Sequence, residues 1–141
     1  MIDDAPRELL VDAGPLIGLI DVRDDYHDVA TRGFRHLLDA RTRLTVPLPI
    51  LFEVYKRIAY DVNPDAAHRA IDLMVDGFEI EIIEREDILA LRSLVLSMSW
   101  WEGSLEDATL AMIGLRRDLP IWTYNYRDFS AFKDIQLWSP G

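Results

Sequence analysis

Four carboxylates in this chain stand where a carboxylate needs a reason. Asp12 closes the apolar run Leu9-Leu10-Val11, and Glu53 lies just inside the helix expected after Pro47-Leu48-Pro49. Asp107 follows Ser104-Leu105-Glu106, and Asp128 lies in the polar stretch Thr123-Tyr124-Asn125-Tyr126-Arg127-Asp128 after another short apolar run. Each has an ordinary structural reading. Asp12 can cap a helix starting near Pro15, and Glu53 can pair with Lys56 or Arg57 on its own helix. Ser104 to Asp107 resembles a capping box with Asp in place of the usual Glu or Gln, and Asp128 suits a turn or helix start. Together they permit a chemistry that none suggests alone. Carboxylates crowded at one sheet edge cannot all stay ionised without a counter-charge, which a divalent cation supplies. Oxygen donors without cysteine or well-spaced histidine favour Mg²⁺ or Mn²⁺ over zinc. Such a site suits metal-dependent phosphodiester hydrolysis.

The elements that must position these acids alternate between strand and helix. Strands are expected at Leu9 to Asp12, Leu44 to Val46, Phe78 to Ile83, Pro120 to Thr123 and Ile135 to Trp138, from short apolar or alternating runs bounded by turn residues. Helices are expected to start at Pro15 and to cover His27 to Ala40, Pro49 to about Val62, Asp65 to Asp76, Glu86 to Met98 and Ser104 to Arg117. On the second of these, Val29, Phe34, Leu37 and Leu38 share one side. Alternating strands and helices imply an α/β fold: three α/β/α layers around a central parallel sheet of four to five strands. Ligand sites in such sheets gather outside the carboxyl ends of the strands, where Asp12 and the Thr123 loop fall. No linker or repeat divides the chain, so residues 1–141 read as one domain.

Composition narrows the class. Half of the 141 residues are hydrophobic, enough for a core, and the absence of cysteine excludes a disulfide scaffold, thiolate metal ligation and a thiol nucleophile. The acidic N-terminal segment lacks the basic start of a secretory signal, and no apolar run is long enough to span a bilayer, so a cytoplasmic protein with no membrane partner is expected. The net charge of −10 argues at first against a nucleic-acid partner. Its distribution weakens that argument. Residues 60–110 hold 12 acids against 3 bases, leaving −1 for the rest of the chain, and Arg116, Arg117, Arg127 and Lys133 flank the candidate site in sequence. Weak RNA binding without metal is the expectation.

In order and spacing these segments resemble the PIN-domain ribonucleases, in particular the VapC-like toxins of toxin–antitoxin modules. The resemblance covers nearly the whole chain. Leu10-Val11-Asp12-Ala13-Gly14-Pro15 looks like the family's opening strand and turn, and Asp24 or Asp25 followed by His27 is similar to its acid-and-histidine pair. Pro49-Ile50-Leu51-Phe52-Glu53-Val54 matches the segment of the second acid, Leu105-Glu106-Asp107-Ala108 that of the third, and Ile121 to Phe129 the closing motif. The resemblance implies a Mg²⁺- or Mn²⁺-dependent endoribonuclease acting on an RNA substrate, a homodimer and a cognate antitoxin. Its candidate catalytic residues are Asp12, Glu53, Asp107 and Asp128. Asp12 and Asp107 are the expected metal ligands and Glu53 ligates or orients the attacking water, with Asn125 and Thr123 in the outer shell. Two positions depart from the pattern: Asn125 stands where many members have Asp, and Ala13 replaces a common hydroxyl residue. Asn125 keeps a second reading open, a catalytically weak or silent binding module on the same fold.

An aspartyl-nucleophile phosphatase would want a second Asp two residues after Asp12, where Gly14 stands. His27, His36 and His68 lack ligand-like spacing and read as solvated or helix-face residues. Adjacent Trp100 and Trp101 cannot both face inward on a regular element, which leaves an interface or a loop packed over the core edge.

Overall fold

The computed structural model describes residues 4–141, so the first three residues of the expected domain and of its acidic start lie outside the described residues. The chain runs β1 (Glu8–Val11), α1 (Ala13–Ile20), α2 (His27–Asp39), β2 (Arg43–Pro47), α3 (Leu48–Asp61), α4 (Pro64–Gly77), β3 (Glu79–Glu81), α5 (Arg85–Ser97), α6 (Leu105–Arg117), β4 (Ile121–Trp122) and α7 (Tyr126–Phe129). All strand pairs are parallel, in the order β3-β2-β1-β4. Leu9, Leu10 and Val11 are consecutive in β1 and all fully buried. Successive side chains of a strand point to opposite faces, so helices must cover both sides of the sheet. The result is the expected three-layer α/β/α arrangement.

Local departures from the sequence reading have local causes. Helix α1 starts at Ala13, not Pro15, because Asp12 caps it. Pro15 is tolerated there because the first N–H groups of a helix have no intrahelical acceptor. Strand β3 is shorter than Phe78 to Ile83, because its partner β2 ends at Pro47 opposite Glu81 and leaves nothing beyond to pair with. The expected last strand is reduced to one parallel bridge between Ile121 and Leu137. Two hydrogen bonds hold it, Ile121 N–H to the Gln136 carbonyl (2.9 Å) and Trp138 N–H to the Ile121 carbonyl (2.8 Å). With β4 only two residues long, the ladder has no room to extend.

Helix α2 buries Ala30, Gly33, Phe34 and Leu37, while Leu38, expected on the same side, is exposed. The inward face is rotated toward Gly33 because Trp122 of β4 lies against it. A Cβ at position 33 would come within 2.5 Å of the Trp122 ring. Trp122 is fully buried between Phe34 (centroids 4.7 Å apart) and Trp138 (5.0 Å, edge to face). Helix α6 is buried without interruption from Ala108 to Gly114, which makes it a central support rather than a surface helix.

The topology fixes where a site can form. From β1 the chain steps outward to β2 and β3, then returns to the other side of β1 as β4. The strand order reverses at β1, so a crevice opens between the carboxyl ends of β1 and β4. Asp12 and Thr123 are the first residues past those two ends.

Candidate active site

Asp12 is held from two directions. Its Oδ1 accepts the Ala13 N–H (2.7 Å) as the cap of α1, and its Oδ2 accepts the Thr123 hydroxyl (2.7 Å) from the end of β4. The capping reading of Asp12 is therefore correct, and the cap leaves its carboxylate on the wall of a cleft. Burial and then the nearby charge of Asp107 raise its pKa to about 6, against the opposing hydrogen bonds of Thr123 and Ala13.

Glu53 sits in the second turn of α3, whose apolar side buries Ile50, Leu51, Val54 and Ile58. It makes the expected i,i+4 ion pair with Arg57, but at 3.8 Å, and its Oε2 is buried with no hydrogen-bond partner. Burial, followed by the charges of Asp12 and Asp107, raises its pKa to about 7, with Arg57 pulling the other way. Asp107 lies in the first turn of α6. Ser104 accepts its N–H (3.1 Å) as half of a capping box, but the Asp107 carboxylate turns instead to Asn125, whose Nδ2 donates to it at 2.9 Å. Burial raises the pKa of Asp107, and the Asn125 hydrogen bond opposes the rise.

The closing loop is organised around Asn125. Its N–H donates to Thr123 Oγ1 (2.9 Å), and its Nδ2 donates to Asp128 Oδ2 (2.9 Å) as well as to Asp107. Asp128 thus stands behind Asn125 and is not part of the cleft wall. A cleft of about 500 Å³ is lined by Asp12, Glu53, Asp107 and Asn125 with Asp24, Arg57, Tyr26 and Tyr124. Arg57 is the one basic residue of that wall among the described residues.

No family model matches the sequence, and no curated protein matches it. Solved structures do resemble it. VapC20 from Mycobacterium tuberculosis, described as a sarcin-ricin loop cleaving toxin, superimposes with a TM-score of 0.76 at 17% identity, covering 87% of this chain and 93% of that one. VapBC2 from Rickettsia felis, bound to a DNA fragment from its promoter, gives 0.72 at 13% identity over 92% of this chain and 96% of that one. VapBC-1 from nontypeable Haemophilus influenzae gives 0.70 at 17% identity over 94% and 96%. The fold is that of the VapC toxins.

On this VapC fold the sheet edge brings Asp12, Glu53, Asp107 and Asn125 to one cleft, with Thr123 beneath Asp12. Of the pair Asp24 and Asp25, Asp24 lines the cleft and Asp25 is exposed. His27 does neither: its Nδ1 lies 2.7 Å from the Gly18 carbonyl and ties α2 to α1. The basic residues flanking the site in sequence are engaged elsewhere or lie off the wall. Arg116 pairs with Asp87, Arg117 with Glu8 and Glu81, and Arg127 with Glu102 (3.7 Å), while Lys133 is exposed. Trp101 and Trp100 both lie against Phe132 (5.5 and 6.2 Å), with Trp100 the more exposed of the two. Sequence reasoning passed over Tyr26, Tyr124 and Arg57 as wall residues. Only Arg57 had a signal, its i+4 spacing from Glu53.

Among the described residues no three acidic or histidine side chains converge closely enough to form a ready-made ion cage. The donor set still fits a hard divalent ion. Three raised carboxyls face one cleft, one of their oxygens is orphaned, and the single cation beside them lies at 3.8 Å.

Proposed function

We propose that the protein is a Mg²⁺- or Mn²⁺-dependent endoribonuclease, the toxin of a toxin–antitoxin pair. One observation carries the reading: Asp12, Glu53 and Asp107 line one cleft at the topological switch point, and Arg57 is the one basic residue of its wall among the described residues. Protein partners follow from the same reading, a second copy of the chain and a cognate antitoxin, as do the VapBC assemblies among the similar structures. No helix among the described residues is long and apolar enough to cross a membrane.

Asp12 and Asp107 would hold the ion, with Glu53 beside them. A bound divalent ion polarises a phosphoryl oxygen and lowers the pKa of water. Thr123 and the Ala13 N–H fix the Asp12 carboxylate, and Asn125 fixes that of Asp107. Glu53, on the same wall with an unpartnered Oε2, is placed to ligate the ion or to orient the attacking water. Asp128 acts one step back, by holding Asn125.

Incubation of the purified protein with total RNA, with Mg²⁺ or with EDTA, tests the proposal. Metal-dependent cleavage that is lost in Asp12→Asn and Asp107→Asn is expected, and cleavage unchanged by both substitutions contradicts it. Asn125 favours the silent-module reading, because it puts an amide where another carboxylate would strengthen the ion's hold. That reading requires no Mn²⁺ binding in a calorimetric titration.

A further inference from the structure

The cleft wall holds one feature that the acids do not use. Tyr26 and Tyr124 stack face to face, with centroids 4.1 Å apart and planes 17° from parallel. Both line the same cleft as Asp12, Glu53 and Asp107. Tyr124 follows Thr123, the residue bonded to Asp12, and its ring is fixed edge to face on Trp122 (6.4 Å). It also lies so close over α1 that a Cβ at Gly14 would meet it at 2.9 Å. Its position relative to the acids is therefore set by the fold. Tyr26 precedes α2 and is held at its backbone, where its N–H donates to Asp24 Oδ1 (3.1 Å) and its carbonyl accepts the Ala30 N–H (2.8 Å). With one ring face on Tyr124, Tyr26 remains 48% exposed, and no other aromatic ring among the described residues covers it.

We infer that Tyr26 is a stacking platform for an unpaired nucleobase of the RNA, next to the phosphate that is cut. This rests on the ribonuclease reading and deepens it by naming a residue that positions the substrate beside the acids. Electrostatics supports the assignment by what it lacks. Most proteins hold nucleic acid by neutralising phosphates with Lys and Arg, yet the cleft wall offers Arg57 alone, already beside Glu53, while Arg116 and Arg117 bond to acids away from it. Base contacts add affinity that the side chains of the wall do not supply through charge. Stacking on an aromatic ring is the sequence-tolerant kind, and it requires a base that is free of a duplex.

The test is steady-state cleavage of a single-stranded RNA and of the same RNA in a duplex, by wild type, Tyr26→Phe, Tyr26→Trp and Tyr26→Leu. The inference expects the single strand to be cut in preference. Tyr26→Leu raises KM by roughly 10-fold with kcat within about twofold, since base–ring stacking is worth about that much. Tyr26→Phe and Tyr26→Trp keep a ring and keep KM at or below wild type. A merely structural ring would instead lower thermal stability or kcat and leave KM alone. Equal KM for Tyr26→Leu and wild type, an equal loss in Tyr26→Phe and Tyr26→Leu, or preference for the duplex overturns the stacking role and leaves the ribonuclease standing. If Tyr26→Leu does not fold, the Phe and Trp variants decide, and a 10-fold rise in KM in either one overturns it. No metal-dependent cleavage by wild type overturns both.

Discussion

Two groups of acids in this molecule are treated in opposite ways. Away from the cleft, Glu8 accepts two hydrogen bonds from Arg117 (3.0 Å each) and one from Thr45 (2.7 Å), and the same Arg117 also pairs with Glu81. One guanidinium from the end of α6 thus serves β1 and β3 at once. At the cleft, Asp12, Glu53 and Asp107 share one wall with Arg57, which lies 3.8 Å from Glu53. Burial raises Glu81 as it does the cleft acids, but Arg117 is the first influence against it, whereas the second cause at Asp12 and Glu53 is another acid. Away from the cleft an arginine bonds directly to both half-buried acids, whereas at the cleft the one arginine stands 3.8 Å from Glu53 and leaves three acids against one cation. An under-compensated group of acids at a switch point is the electrostatic basis of the proposed cation site.

Breaking the cleft group should have the largest effect. Asp12→Asn is expected to lower the rate of metal-dependent RNA cleavage by on the order of 100-fold or more. Arg117→Ala, which breaks the compensated group, should leave that rate within about twofold, measured as initial rates on one RNA. Equal losses in the two variants would erase the distinction between the groups.

The pH dependence of stability separates them next. Asp12 and Glu53 keep their protons to about 6 and about 7 in the native state, above the ordinary 3.8 and 4.5. The native protein therefore binds more protons than the unfolded chain between roughly pH 4 and 7, and stability falls as pH rises through that window. Urea denaturation of the metal-free protein should show a loss on the order of 2 kcal/mol or more from pH 4.5 to pH 7.5. Asp12→Asn flattens the curve and is the more stable protein at pH 7.5. A metal-free stability that rises across this window would contradict the origin assigned to these shifts.

Adding the cation should restore what pH removes. At pH 7.5, Mn²⁺ at about 100 times its dissociation constant contributes about 2.7 kcal/mol to a protein with one site. That is an increase of several degrees in Tm for wild type and Arg117→Ala, reversed by EDTA and much smaller in Asp12→Asn. The smallest effect is that of Arg117→Ala on stability itself, about 1 kcal/mol by thermal melting, because that group is half-exposed and screened.

Which parts of this were legible in the sequence follows from the range of the forces involved. A carboxylate ending the run Leu9-Leu10-Val11 and a serine three residues before Asp107 are local signals, and both turn out to be true caps, the first lining the cleft itself and the second starting the helix turn that carries Asp107 to it. The strand and helix alternation was enough for the layers and for the edge where the acids meet. The length of β3 was not legible, because it is set by where β2 stops, at Pro47. The last strand was over-read for the same reason, since β4 offers it only Ile121. The Tyr26–Tyr124 stack joins residues 98 positions apart, and neither carries a local mark that would announce it. The flanking arginines looked available in sequence and are not, because their acidic partners lie on other elements.

The central claim, that the cleft acids wait for a divalent cation, is tested most directly by titrating Mn²⁺ into the metal-free protein at pH 6.5 in two buffers of different ionisation enthalpy. The account predicts one binding event that releases about one proton, since the ion displaces protons held by raised carboxyls, and its loss in Asp12→Asn. Absence of binding, or binding equal in wild type and Asp12→Asn, would contradict it.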